Sequence, residues 1–130
     1  MNQSIENDVG VFWLEDGMLR CMVKPADAVQ SRDQAEDSMR IFRQLAAGHP
    51  HPAVIDISAA KGLSREARNA YSGPGAEDVF ASAGLVVASS MIARAIGNFV
   101  INVSKPPFPL RLFDNVDDAL AWTRGLGRPS

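Results

Sequence analysis

The strongest constraint in this chain is an order of patterns. After one tight turn, short apolar runs alternate with segments of helical spacing almost to the C-terminus. Residues 9–14 and 18–23 are rich in β-formers and flank Glu15-Asp16-Gly17, which predicts a β-hairpin. In the second run Leu19, Cys21 and Val23 share one face, and Met18, Arg20 and Met22 share the other. Ser31 with Gln34 is a capping-box pattern opening a helix whose inner positions are Ala35, Met39, Phe42, Leu45 and Ala46. Apolar runs at 53–57, 83–88 and 110–113 read as further strands. Ser64 is placed to cap a second helix, Ser89 or Ser90 a third, and Asn115 with Asp118 a fourth. The third helix is expected to bury Ile92, Ala95, Ile96, Phe99 and Val103 before Pro106 and Pro107 stop it.

The resulting order, β-β-α-β-α-β-α-β-α, predicts an α/β fold. Its N-terminal hairpin leads into alternating units that build a mostly parallel sheet of about five strands under about four helices. The expected organisation is a flexible tail over 1–8, one domain over 9–126 and a C-terminal tail over 127–130. A chain of 130 residues buries enough surface for a core without disulfides or metal.

Several function classes lose support here. The net charge is −2 and the 13 Lys and Arg are scattered, so no basic stripe for nucleic acid is visible. The most apolar stretch, 82–103, carries Arg94, Asn98 and Asn102, which argues against a membrane span. A lone cysteine, Cys21, and a polar, acidic N-terminus fit a reducing cytoplasmic setting. His49 and His51 sit two apart with no further ligands nearby, so no metal or other cofactor is expected. Phosphate-loop, dinucleotide and nucleophile-elbow motifs are absent from the sequence, and no enzyme activity is expected.

Seven segments carry a family resemblance: Phe12-Trp13-Leu14-Glu15-Asp16-Gly17, Val54-Ile55-Asp56-Ile57, Leu63-Ser64-Arg65-Glu66-Ala67-Arg68, Arg94-Ala95-Ile96-Gly97-Asn98-Phe99, Lys105-Pro106-Pro107-Phe108-Pro109, Leu112-Phe113-Asp114 and Asp118-Ala119-Leu120-Ala121-Trp122. Together they resemble a group of small uncharacterised bacterial proteins with a SpoIIAA-like fold. That fold is shared by the STAS domains of anti-sigma-factor antagonists and is similar to CRAL-TRIO lipid-transfer domains. The resemblance implies a regulatory or interaction role. In STAS domains a strand ending in Asp leads to an Asp-Ser helix start whose serine is phosphorylated. Laid on this chain from Asp56, that pattern puts its aspartate at Ser64 and its serine at Arg65. The acceptor hydroxyl is therefore missing unless Ser64 supplies it from a shifted register.

Candidate binding residues cluster at the carboxyl ends of the predicted strands and at the second helix: Asp56, Ser58, Ser64, Arg65, Arg68, Ser89, Ser90 and Asp114. Each serine also stands where a helix cap is needed, and each charge fits an ordinary solvated face. Asp56 and Asp114 are positioned to meet across the sheet end. On the third helix Arg94, Asn98 and Asn102 form a polar stripe bordered by Met91 and Ile101, with Gly97 open to close approach. That makes Met91, Arg94, Gly97, Asn98, Ile101 and Asn102 candidates for a homodimer interface. Three readings remain open. The first is a non-enzymatic interaction module, dimeric or with a protein partner. The second is a binder of a small apolar, lipid-like ligand in a cavity bordered by Phe99, Phe108 and Trp122. The third is a small hydrolase using Asp56 and Ser58.

Overall fold

The Asp16-Gly17 turn takes positive φ at both central residues, 52° and 75°, the geometry whose twist matches two antiparallel strands. The computed structural model describes residues 4–26 and 28–126. Strands β2 (Gly10–Glu15) and β3 (Met18–Val23) flank the turn, and β1 (Ser4–Glu6) pairs antiparallel with β2. Then follow α1 (Arg32–Ala46), β4 (His51–Asp56), α2 (Arg65–Ser72) and a 3-10 turn at Ala76–Asp78. The chain ends with β5 (Phe80–Val86), α3 (Met91–Phe99), a π turn (Val100–Ser104), β6 (Leu110–Phe113) and α4 (Val116–Leu126).

Within the expected flexible tail over 1–8, Ser4–Glu6 instead forms strand β1, which raises the strand count from five to six; residues 1–3 lie outside the described residues. Ile5 sits opposite Phe12 and packs on the core. Asn7 turns the chain, its Oδ1 accepting from the backbone of Val9 and Gly10 at 2.9 and 3.0 Å. One apolar residue in a three-residue strand leaves no alternation to detect. The expected tail at 127–130 lies outside the described residues.

The sheet order is β1-β2-β3-β4-β5-β6, antiparallel as far as β3 and parallel from β3 onward. Because parallel crossovers share one hand, a strictly sequential order sends successive crossover helices to one side of the sheet. The packing agrees. On the near face Phe12, Leu19, Cys21, Ala53 and Ala83 pack with Met39 and Phe42 of α1, and Leu85 packs with Ala93 of α3. On the far face, α4 is the one helix among the described residues, and it brings Ala119 onto Met18, Val54 and Val86. Phe42 stands edge-on to both Phe12 and Phe80, with ring centroids 5.1 and 5.0 Å away.

Helix α3 is turned relative to the sequence expectation. Its buried residues are Ala93 and Gly97, followed by Val100, while Ile92, Ala95, Phe99 and Val103 face outward. The reason is close approach. A Cβ at residue 97 would lie 2.3 Å from Cδ2 of Leu112, so the helix can press onto β6 only along its small side chains. Ile96 still packs inward beside Ala93, as expected, while Ile92, Phe99 and Val103 are left on the other side.

Candidate functional site

The parallel strands end in loops that carry most of the predicted polar residues, and the structure gives nearly every one a local structural partner. Ser64 accepts from Ala67 N at 3.1 Å and Ser90 from Ala93 N at 3.0 Å, each capping its helix. Ser89 is exposed in the turn before α3. The Ser58 hydroxyl and backbone N–H both donate to Asp56 Oδ1, at 2.6 and 2.9 Å, closing a local turn. Asp114 does not meet Asp56. It accepts from Arg94 at 2.7 Å, and β5 lies between the two aspartates' strands.

No histidine stands near Asp56 and Ser58. His51 begins β4 and Asp56 ends it, about 16 Å apart in an extended strand. The His51 ring nitrogens lie 3.1 and 3.0 Å from the carbonyl oxygens of Gly17 and Ala46, so that side chain ties the β2–β3 turn to the end of α1. Among the described residues no three His, Cys, Asp or Glu converge to hold a metal.

The residues that do converge belong to a cavity of about 90 Å³ between the near face of the sheet and helices α1, α2 and α3. Phe12, Phe42, Ile55, Leu85 and Phe108 form its apolar walls. Its position follows from the strand order: with no reversal of direction there is no crevice at the strand ends, and free space falls under the helix layer instead. Of the three residues expected to border a cavity, Phe108 does. Trp122 lies on the far face against Phe113, with ring centroids 5.6 Å apart. Phe99 stands outside the cavity, under the guanidinium of Arg68 at 4.2 Å.

Five polar residues edge this space: Cys21, Gln30, Arg68, Tyr71 and Ser72, whose hydroxyl donates to the Arg68 carbonyl at 2.7 Å. Tyr71 donates its hydroxyl to Gln30 Oε1, and burial pushes its pKa up. Burial likewise pushes the Cys21 thiol up, with the charge of Asp56 adding to it, so Cys21 stays a protonated, unreactive thiol. Arg68 donates from Nη1 to the carbonyl of Leu63 at 3.0 Å. Among the described residues it makes no ion pair. The roof is the loop before α2, held to the segment before α1 by Gln30 N to Gly62 O and Ser64 N to Gln30 O, both 3.0 Å. Sequence reasoning singled out Arg68 but missed Gln30 and Tyr71, which are 41 positions apart and share no motif.

Outside the cavity, α3 and the π turn after it present four large apolar side chains to solvent. Met91, Ile92, Phe99 and Val103 are 86%, 50%, 39% and 61% exposed. Arg94, Asn98 and Asn102 run beside them, Ile101 is half-buried at the margin, and Arg65 is exposed at the start of α2. Gly97 is buried against Leu112 and takes no part in that surface, contrary to the sequence expectation.

A sequence profile described as "Domain of unknown function (DUF7793)" matches residues 12–126. The chain belongs to the DUF7793 family. No curated protein matches this DUF7793 chain. Solved structures that share its SpoIIAA-like fold include the following two. One is an uncharacterised protein of the DUF3478 family from Shewanella loihica PV-4, with 16% identity, TM-score 0.56, and 95% of this chain and 92% of that one covered. The other is a serine-to-glutamate variant of RsbS from Moorella thermoacetica, with 16% identity, TM-score 0.59, and 92% and 98% covered. The DUF7793 chain therefore has the SpoIIAA-like fold that its sequence motifs resemble. Among the described residues no helix is long and apolar enough to cross a membrane.

Proposed function

We propose that this DUF7793 protein is a non-enzymatic interaction or regulatory module that self-associates through the outward side of α3. One observation carries the reading: Met91, Ile92, Phe99 and Val103 form an exposed apolar strip on a helix that had small residues to bury instead. Grouped apolar side chains of this size mark contact surfaces more often than scattered ones do. Arg94, Asn98 and Asn102 supply a polar border, as the rim of an interface does. The SpoIIAA-like fold supports the same class, since the resemblance to the STAS domains of anti-sigma-factor antagonists implies a regulatory or interaction role.

Sedimentation of the wild-type chain and of Met91→Asp/Ile92→Asp tests this. Both side chains are exposed, so the substitutions should move folding stability by only about 0.5 kcal/mol. A dimer that becomes a monomer in the variant supports the reading. A wild-type chain that stays monomeric at on the order of 100 μM, near −5.5 kcal/mol of association, removes the homodimer.

A further inference from the structure

The cavity and the cation at its rim together describe a ligand. We propose that the space under α1, α2 and α3 binds a small carboxylate with a short apolar tail, the tail among the phenylalanines and the carboxylate on Arg68. This goes beyond the interaction-module reading and does not depend on it.

Size comes first. The cavity, about 90 Å³, is little over half of the roughly 150 Å³ apolar cavity that accepts benzene. It has room for a tail of about three to five carbons and none for a fatty acyl chain. A long-chain form of the lipid-like ligand, one of the three readings left open by the sequence, exceeds this space, and a four- to six-carbon acid is the right scale. The walls, Phe12, Phe42, Ile55, Leu85 and Phe108, offer contact without a hydrogen-bond partner for water.

Charge comes second. Arg68 is half-buried, is the only cation lining the cavity, and has no carboxylate within ion-pair distance among the described residues. One of its five N–H donors is used on Leu63 O, which leaves the rest of the fork for a bidentate acceptor. The Phe99 ring under the guanidinium and the Leu63 carbonyl hold that fork in place before any ligand arrives, which limits the entropy lost on binding. A neutral apolar molecule would fill the walls but leave this cation unanswered.

The test is a titration of the full chain with sodium isovalerate, followed by methyl NMR of Ile55 and Leu85 and by calorimetry. Isovaleramide serves as the neutral isostere and decanoate as the long-chain probe. Isovalerate should perturb both methyl groups with a Kd on the order of 1 mM, as expected of so small a ligand. Arg68→Gln should weaken isovalerate about tenfold or more while leaving isovaleramide unchanged. An Arg68→Lys control keeps the charge without the fork and should fall between the two. The proposal is overturned if isovalerate at 50-fold above that concentration, about 50 mM, leaves the methyl resonances unmoved. It is also overturned if Arg68→Gln binds isovalerate as the wild type does, or if decanoate binds more tightly than isovalerate.

Discussion

Leu112 fills the space that a side chain on residue 97 would need: its Cδ2, Cδ1 and Cγ lie 2.3, 3.1 and 3.2 Å from the position of a Cβ there. This one contact sets the rotation of α3. It puts Ala93 and Gly97 against the sheet, leaves Ile92 and Phe99 outside, and so creates the strip on which the proposed interaction rests.

Gly97→Ala should therefore destabilise the protein by about 1 kcal/mol. Displacing Leu112 costs roughly 1–3 kcal/mol, and the better helix propensity of alanine returns about 1 kcal/mol. In a Leu112→Ala background the obstruction is gone, and the same Gly97→Ala change should become stabilising by about 0.5–1 kcal/mol. Urea denaturation of the four-member cycle reads the change of sign.

Cys21 predicts an alkaline limit. Its pKa is raised in the folded state by burial, and further by Asp56, so the native thiol keeps its proton where the unfolded chain loses it. The stabilising difference is fully present below the unfolded value of about 8.5 and is lost as pH climbs above it, by about 1.4 kcal/mol per pH unit. Tyr71, raised by burial in the same way, adds a second loss above about pH 10. Denaturation at pH 8 and pH 10 should show a steep fall for wild type and a shallower one for Cys21→Ala. Equal slopes in the two proteins would show that Cys21 is not the group responsible.

Ser64 predicts tolerance of negative charge. As the cap of α2 it accepts from Ala67 N, and aspartate caps a helix as well as serine does while favouring the helix dipole. Ser64→Asp should match wild type within about 0.5 kcal/mol, whereas Ser64→Ala should lose about 1 kcal/mol. Thermal melts of the pair give the comparison. A large loss in Ser64→Asp would show that the α2 start does not accept an anion.

What could be read from the sequence was local, and what could not depended on distant residues. The β2–β3 turn, the capping box at Ser31 and Gln34, the cap at Ser64, a cap at Ser89 or Ser90, and strand β6 were all visible because each is set within a few positions. Asp56 and Asp114 looked like partners because topology suggests neighbourhood, but each found a nearer partner in Ser58 and Arg94. The burial side of α3 was misread because periodicity favours the largest apolar residues, and only Leu112, fifteen positions after Gly97, reverses that choice. Of the cavity, Phe108 and Arg68 were visible, while Gln30 and Tyr71 were not, since they meet only once α1 and α2 have packed.

The arrangement of helices also has a consequence for the chain as it is made. Each strand pairs with the one synthesised just before it, so the six-stranded sheet can grow in step with translation, and α1, α2 and α3 cover its near side as they emerge. The far side has no such schedule. Met18, Val54 and Val86 wait there for Ala119, and among the described elements α4 leaves the ribosome after all six strands. A nascent chain halted at Asn115 would carry a finished sheet with one dry side bare, and that species is the one most in need of a chaperone.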